Sequence, residues 1–516
     1  MKKFWMENQK LLYRIAMAAV GICFLATRLW KLDSLPMGLH IDEAGMAYDA
    51  WCLANFGVDR WMKAWPVYLD NFGAGQSSLY AFLCAGLFKV FGFSVWLVRL
   101  PIFVFSALTL VFGCKLAKRV FEDDKVMIFF TAVLITFGPY MIMQSRYGLD
   151  CDLMLGASTV FLYFFVSAVS EGQAWRYAAS GVAGGVMLYT YALSYLILPL
   201  FLVLALVYVV AVRKFSLRRW ICMGGPMFLV AWPLIVTQVV NIFELNEFKV
   251  GPITIPRIKY YRASTVERFR FKWFLLALKN TFIGDDSVYA SIPGVRNLYA
   301  ITIPLFVIGF AGMLMVLGKK LKTRTWDGIA VPFLWFVAVL LFESHLESCT
   351  YRINMIFLAV IIIAVYGIRC IGKWLPKLYP WAAVGILAVY AVCSLRFGGF
   401  YFLKYNQETF PLPYFGCMTK EAFEIIEGNE TLRQKLTFDS EFGIYYVLCM
   451  EVPPQEFEII GDDHVEWRGY WFGSLQEIRD DCNYIVCGDF EEYREELRAS
   501  GFTEVAFDNY ALYYKE

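Results

Sequence analysis

Long apolar runs recur along the first 400 residues of this chain and limit what it can fold into. A helix needs about 20 apolar residues to cross the hydrocarbon core of a bilayer. About eleven runs approach that length, at residues 11–30, 98–118, 126–144, 154–170, 177–193, 195–212, 220–240, 300–318, 328–343, 353–371 and 381–397. In agreement, 59% of the residues are hydrophobic and only 18% are charged. The sequence therefore predicts an α-helical polytopic membrane protein.

Basic clusters at the ends of these runs predict its orientation, because Lys and Arg accumulate in cytoplasmic loops. The stretch 79–93 is shorter than a span, and if it does not cross, all the basic clusters fall on the side of the N-terminus. These clusters are Lys115/Lys118/Arg119, Arg213/Lys214/Arg218/Arg219, Lys319/Lys320/Lys322/Arg324 and Arg369/Lys373/Lys377. We therefore expect eleven crossings, a cytoplasmic N-terminus and an extracytoplasmic C-terminus.

The long loops then lie on the outer face, at 31–97, 145–153, 241–299 and 344–352. Segment 260–280 interleaves Arg and Lys with Phe, Trp and Leu, which suits an interfacial amphipathic helix. No Gly-rich loop follows a predicted strand, so a cytoplasmic nucleotide-sugar donor is not expected. The net charge of +2 gives no indication of nucleic acid binding. Any chemistry is therefore expected at the outer face.

The composition changes after residue 399, where charged residues become frequent. We divide the chain into a transmembrane domain at 1–399 and a small extracytoplasmic α/β domain at 400–516, because short β-like runs alternate there with helical patterns. The predicted strands are Lys435–Phe438, Ile444–Leu448, Tyr484–Cys487 and Tyr510–Tyr514, and the predicted helices are Thr419–Ile426 and Phe490–Ala499. Spacing does not decide whether Cys417, Cys449, Cys482 and Cys487 form bridges.

Two adjacent acids, Asp42 and Glu43, follow the first apolar run by a few residues. Ionised groups at the membrane face are costly to desolvate, and such residues usually mark function. They could instead stabilise the dipole at the start of a helix. Neighbouring helical residues point to different faces, so one acid can do chemistry while the other orients or coordinates.

Arginines lie at the outer ends of three predicted spans, at Arg99, Arg146 and Arg352. Arg146 and Asp150 are four residues apart and could pair on a helix. Arg352, which follows Tyr351, could extend to the headgroups or bind a lipid phosphate with its planar fork.

Taken in order, these elements resemble the membrane glycosyltransferases of the GT-C type, in particular the protein O-mannosyltransferase and lipid A aminoarabinose transferase superfamily. The matching elements are Asp42-Glu43 after the first helix, Val98-Arg99-Leu100-Pro101, Ser145-Arg146 with Asp150, and Tyr351-Arg352 opening a late helix. The resemblance covers most of residues 1–400. It departs at Gln76-Ser77-Ser78, where many relatives carry a lysine-proline-proline-like stretch that supplies a phosphate contact.

The resemblance implies a sugar donor carried on a polyprenyl phosphate, with inverting transfer at the outer leaflet to an envelope glycan, lipid or protein acceptor. It implies that Asp42 is the general base and that Glu43 and Asp150 position the acceptor, the sugar or a metal. The candidates for binding the donor phosphate are Arg99, Arg146 and Arg352, and those for positioning the substrate are Tyr48, Gln76 and Tyr351.

A divalent metal ion stays open, since some relatives bind one and no ligand cluster here has diagnostic spacing. The candidate ligands are Glu43, His40 and His345. Two other functions stay in view, a polyprenyl-lipid transporter or flippase and a non-catalytic lipid-binding envelope scaffold. Transporters usually carry paired repeats and charges near the bilayer midplane, whereas the charges here gather at outer helix ends. An enzyme predicts that Asp42, Asp150 and Arg352 converge on one outer cavity open to lipid, whereas a transporter predicts a cavity that reaches mid-membrane from both sides.

Overall fold

Helices dominate the computed structural model. It describes residues 2–71, 74–258, 268–285, 291–406, 415–416, 420–430, 432, 436–438, 443–456, 465–467, 470–472, 477–487, 491–507 and 510–515. The helices of the membrane part are α1 (Lys2–Leu29), α2 (Ile41–Phe56), α3 (Ser78–Phe91), α4 (Val95–Val120), α5 (Lys125–Phe137), α6 (Pro139–Met143), α7 (Leu153–Glu171), α8 (Ala174–Leu188), α9 (Ser194–Ala211), α10 (Leu217–Ile242), α11 (Phe271–Phe282), α12 (Thr302–Thr323), α13 (Ala330–Glu343), α14 (Phe357–Trp374) and α15 (Tyr379–Leu403).

Within the described residues, eight helices are long and apolar enough to cross a membrane. A ninth is the pair Lys125–Phe137 and Pro139–Arg146, which bends by 64°. Two further predicted spans coincide with α8 and α13, which have 15 and 14 residues and are shorter than the others. The multi-pass membrane fold is thus confirmed, while the count of eleven crossings depends on these two short helices. The stretch predicted not to cross forms α3, also only 14 residues long.

A buried arginine stabilises the bend between α5 and α6. Pro139 has no backbone N–H, so the carbonyl of Ile135 lacks its usual helical donor. The guanidinium of Arg28, at the end of α1, donates to the carbonyls of Ile135, Thr136 and Met141. Arg28 is fully buried, and it therefore satisfies a helix break that hydrocarbon would otherwise penalise.

The long segments predicted to lie on the outer face contain two short hairpins and part of the predicted interfacial segment. The strands there are β1 (Leu39–His40), β2 (Tyr68–Asn71), β3 (Ala74–Ser77), β4 (Phe248–Val250) and β5 (Ile253–Ile255), with β2 paired to β3 and β4 to β5. Segment 260–280 is helical from Phe271 onward, and residues 259–267 lie outside the described part. In α11, Trp273 is buried and Leu275 is exposed, as an amphipathic helix requires.

The C-terminal region contains a mixed sheet. Its elements are β6 (Phe415–Gly416), α16 (Lys420–Glu427), β7 (Leu436–Phe438), α17 (Gly443–Cys449), β8 (Val465–Trp467), β9 (Tyr470–Phe472), β10 (Asn483–Cys487), α18 (Glu491–Ala499), β11 (Thr503–Ala506) and β12 (Tyr510–Tyr514). The strand order is β11-β12-β10-β7-β9-β8, with β7 parallel to both its neighbours. Cys449 and Cys482 are free thiols, while Cys417 and the side chain of Cys487 lie outside the described part.

The strand predicted at Ile444–Leu448 is wrong, because these residues belong to α17. All five side chains are buried. An apolar run enclosed on all sides has no periodicity that separates a helix from a strand. The strands predicted at the other three positions are present as β7, β10 and β12. Within the described residues, the two predicted helices correspond to α16 and α18.

Candidate functional site

The first turn of α2 separates the two adjacent acids. His40 precedes the helix, and its Nδ1 accepts a hydrogen bond from the backbone N–H of Asp42 at 3.0 Å. Burial lowers the pKa of His40 to about 3, so the ring is neutral at physiological pH and caps the helix. His40 is therefore engaged as a cap, which argues against the predicted metal-ligand role. The side chain of Asp42 is 35% exposed, whereas that of Glu43 is fully buried.

Glu43 stabilises the loop rather than facing an open site. Its carboxylate accepts hydrogen bonds from the backbone N–H groups of His40 and Gly148. It also pairs with Arg99, with Nε 3.1 Å from Oε1. A Cβ on Gly148 would lie 2.9 Å from Oε1, so only glycine permits this approach. Glu43 thus serves as the internal counter-ion of Arg99.

The guanidinium of Arg99 is saturated. Besides Glu43, it donates to the carbonyls of Leu32, Pro36 and Gly38. Arg99 is fully buried, and its five N–H donors all have acceptors. In this arrangement no donor remains for the phosphate that Arg99 was predicted to bind.

Arg146 is saturated in the same way. It donates to five carbonyls at and after the end of α1, those of Thr27, Arg28, Trp30, Lys31 and Leu35. It is also fully buried. A cation at a helix C-terminus satisfies carbonyls that have no intrahelical partner. The geometry therefore assigns Arg146 to the end of α1, and the alternative pairing with Asp150 does not form.

Arg352 differs from the other two arginines because it is only half-buried. Its guanidinium donates to the carbonyl of Glu347 at 3.1 Å and lies 5.4 Å from the ring centroid of Tyr351. Burial raises the pKa of Tyr351 to about 12, so the phenol stays protonated. Of the three predicted phosphate ligands, Arg352 is the least buried, and its role stays a prediction.

Asn71, which the sequence analysis did not identify, binds the partly exposed carboxylate of Asp42. The side-chain N–H of Asn71, at the end of β2, donates to Oδ1 of Asp42 at 3.0 Å. A Cβ on Gly45 would clash with Oδ1 of Asn71, so the glycine one turn into α2 makes room for this contact. The sequence places Asn71 in the same outer loop as Asp42, but its partner is visible only when the hairpin folds back over α2.

Asp150 contacts the same hairpin as Asp42. Its Oδ2 accepts a hydrogen bond from the backbone N–H of Ser77 at 3.1 Å, which links it to the β2–β3 hairpin. Asp42 and Asp150 are thus both bonded to this hairpin, through Asn71 and Ser77. The convergence of Asp42, Asp150 and Arg352 on one cavity stays a prediction.

The three predicted positioning residues differ in where they lie. Tyr48 is fully buried, and its hydroxyl donates to the carbonyl of Val452, so it contacts the C-terminal region rather than an open site. Gln76 lies beside Ser77 on β3, and its buried Oε1 has no hydrogen-bond partner among the described residues. Tyr351 lies against Arg352. Gln76 and Tyr351 thus stay predictions with a suitable location.

A metal site of ordinary composition is not formed by the described residues, which contain no group of three or more His, Cys, Asp or Glu suited to hold an ion. The Nδ1 of His345 lies 3.1 Å from the carbonyl of Leu341. Glu43 is occupied by Arg99. A metal-ligand role for Glu43 or His345 stays a prediction, and no step below depends on a metal.

If Asp42 acts as the general base, replacing Asn71 with alanine should lower kcat roughly 10- to 100-fold, because a hydrogen bond to a charged group contributes roughly 1.5–3 kcal/mol. Steady-state transfer rates measure this effect. The control is Asn55→Ala at the exposed end of α2, where the amide donates to the carbonyl of Trp51. Equal rates for wild type and Asn71→Ala would show that Asn71 does not orient the base.

A buried acid behind α2 predicts a pH effect on stability. Burial raises the pKa of Asp59 to about 7, and the nearby charge of Asp49 is the second cause of this increase. In an unfolded chain an aspartate has a pKa of about 3.9. Because the pKa of Asp59 is higher in the folded than in the unfolded chain, it favours the folded state fully at pH values below about 3.9. This contribution is lost as the pH rises through 7. Asp59→Asn should therefore melt at the same temperature as wild type near pH 4 and at a higher temperature than wild type at pH 8.

The control is Asp33→Asn, which neutralises an exposed acid. If the melting temperatures of wild type and Asp59→Asn changed in parallel with pH, the raised pKa of Asp59 would be contradicted.

Comparisons with known proteins bear on the fold. Residues 76–240 match the model of a family described as dolichyl-phosphate-mannose-protein mannosyltransferase. Among solved structures, the chain is similar to ArnT from Cupriavidus metallidurans bound to undecaprenyl phosphate, with a TM-score of 0.56, 14% identity and 98% of each chain covered. The apo state of ArnT matches with a TM-score of 0.54, at the same identity and coverage. A comparison with curated protein sequences finds no match.

Proposed function

We propose that this chain, which has the fold of the GT-C type membrane glycosyltransferases, transfers a sugar from a polyprenyl phosphate to a cell-envelope acceptor. The observation that carries the proposal is the carboxylate of Asp42, which is 35% exposed and is held by Asn71 of the hairpin that also bonds Asp150 through Ser77. The fold and the match over residues 76–240 support it. The positive-inside pattern supports a site on the outer side of the membrane and a cytoplasmic N-terminus.

The proposed reaction is a single displacement. Asp42 takes the proton of an acceptor hydroxyl while the oxygen of that hydroxyl attacks the anomeric carbon of the donor. The bond between that carbon and the phosphate oxygen breaks, and the polyprenyl phosphate leaves with the electron pair. Attack opposite the leaving group inverts the anomeric configuration. One general base and no covalent intermediate suffice for this chemistry.

Arg352 is assigned to the leaving phosphate. A guanidinium offers two parallel N–H donors to a phosphate, and this interaction strengthens as negative charge develops on the leaving group. Asp150 is assigned to positioning, because its carboxylate is fixed by the backbone of Ser77 at one end of the hairpin that carries Asn71. Glu43, Arg99 and Arg146 then hold the loops and take no part in the chemistry.

The experiment is a panel of labelled polyprenyl-phosphate sugars offered to the purified protein in detergent, together with a solubilised envelope extract as acceptor. Release of polyprenyl phosphate and movement of the label into the extract support the transferase. In vesicles, movement of a labelled lipid between leaflets without its cleavage would instead identify a flippase. Binding without either result would identify a scaffold.

Replacing Arg352 with glutamine is expected to weaken donor binding roughly 10- to 100-fold, because a charge-assisted contact contributes about 1.5–3 kcal/mol. Equilibrium binding of the donor measures it. The control is Arg257→Gln, which removes an exposed arginine that pairs with Glu244 in another outer loop. Equal donor affinity for wild type and Arg352→Gln would remove Arg352 from the site.

A further inference from the structure

The C-terminal region and the loop that carries Asp42 form one hydrophobic core. Side chains of α2 and α3 pack in the same cluster as side chains of α16, α17, β10 and β12. The buried members from the C-terminal side include Phe423, Tyr445, Leu448, Ile485 and Leu512. A shared core fixes the relative position of its parts, because its side chains are closely packed. The C-terminal region is therefore packed directly against α2, the helix whose first turn contains the proposed base, Asp42.

Two backbone positions just before Asp42 pair with the C-terminal region. Leu39 and His40 form β1, which runs antiparallel to β6, with Leu39 opposite Gly416 and His40 opposite Phe415. Asp42 follows His40 by two residues, inside the first turn of α2. The strand that leads into the base is thus completed by residues nearly 400 positions later in the chain.

Two tyrosine hydroxyls also join the C-terminal region to the segment around Asp42, one donated from each side. Tyr445 of α17 donates to the carbonyl of Leu39 at 2.7 Å, and Tyr48 of α2 donates to the carbonyl of Val452 at 2.8 Å. Both side chains are almost completely buried. The contacts lie on either side of Asp42 along the chain, so they limit both translation and rotation of the first turns of α2.

We propose that the C-terminal region orients the catalytic base and that Tyr445 is a positioning residue for Asp42. This inference rests on the proposed function, since it assigns a role within that same site. Tyr445 does not touch substrate. It acts through the carbonyl of Leu39, three residues before Asp42, and keeps the carboxylate within reach of Asn71 and the acceptor hydroxyl. Small displacements of a catalytic group are costly because transfer requires near-attack geometry.

The test compares Tyr445→Phe with a matched control, Tyr484→Phe, in the full-length protein. The hydroxyl of Tyr484 exchanges hydrogen bonds with the backbone of Arg479 inside the C-terminal region, and its ring belongs to a separate cluster. Both variants lose one buried hydroxyl and should melt at similarly lowered temperatures. Tyr445→Phe should lower kcat about fivefold, the size of one neutral hydrogen bond, with donor affinity unchanged. Tyr484→Phe should keep the wild-type kcat.

A second measurement separates positioning from general loosening. In the Asp42→Asn background, Tyr445→Phe should cause no further loss of the residual rate, because effects transmitted through one residue are not additive. Additive losses, or equal kcat values for Tyr445→Phe and wild type, would overturn the inference. A wild-type protein that transfers no sugar would instead overturn the proposed function.

Discussion

Asp42→Asn is expected to lower kcat by about 10²- to 10⁴-fold, the contribution of a positioned general base. Asparagine has almost the same shape and can still contact Asn71, but it cannot take a proton. The donor binds through its phosphate and lipid, so its affinity should change by less than about twofold. Steady-state transfer and equilibrium donor binding on the same preparation measure the two quantities.

The control for this variant is Asp33→Asn, which neutralises an exposed acid in the same outer loop. It should transfer sugar at the wild-type rate. A loss of only a few-fold in Asp42→Asn would mean that another group removes the proton, and Asp150 would become the first candidate.

Glu43→Gln is expected to lower the free energy of unfolding by about 3–5 kcal/mol, because it leaves the guanidinium of Arg99 buried without its counter-ion. The carboxamide also turns an N–H₂ group toward the backbone N–H groups of His40 or Gly148, which need acceptors. Both effects act on stability. Chemical or thermal unfolding in detergent measures the loss.

The matched comparison is Glu504→Gln, which breaks an exposed pair with Arg498. Exposed ion pairs contribute little to stability, so this variant should unfold like wild type. The two adjacent acids then give opposite results: Asp42→Asn is stable and inactive, whereas Glu43→Gln is unstable. A stable but inactive Glu43→Gln variant would contradict the structural role and return Glu43 to the list of catalytic residues.

The sequence predicts the membrane architecture well, because an apolar run of about 20 residues has few alternatives. It also predicts that Asp42 and Glu43 point to different faces. It does not decide which acid is buried, since that depends on Arg99 and Gly148, which are 56 and 105 residues away from Glu43. Helical geometry alone therefore leaves two candidates for the general base, Asp42 and Glu43.

The arginines show a second limit of sequence reasoning. Arg99, Arg146 and Arg352 all lie at the predicted outer ends of helices, where each could bind a phosphate. Only the tertiary contacts show that nearby carbonyls occupy Arg99 and Arg146, because irregular backbone between helices creates acceptors that no sequence pattern marks. The same holds for Asn71, whose contact with Asp42 depends on the fold of one hairpin.

The most direct test of the central claim is a single-turnover experiment on wild type and Asp42→Asn. Each protein is loaded with the labelled polyprenyl-phosphate sugar that it binds from the panel and is then mixed with envelope extract. We predict that wild type releases polyprenyl phosphate and passes the label to the extract, while Asp42→Asn retains the intact donor at equal occupancy. Release at the same rate from both proteins, or retention of the donor by wild type, would contradict a transferase that uses Asp42 as its base.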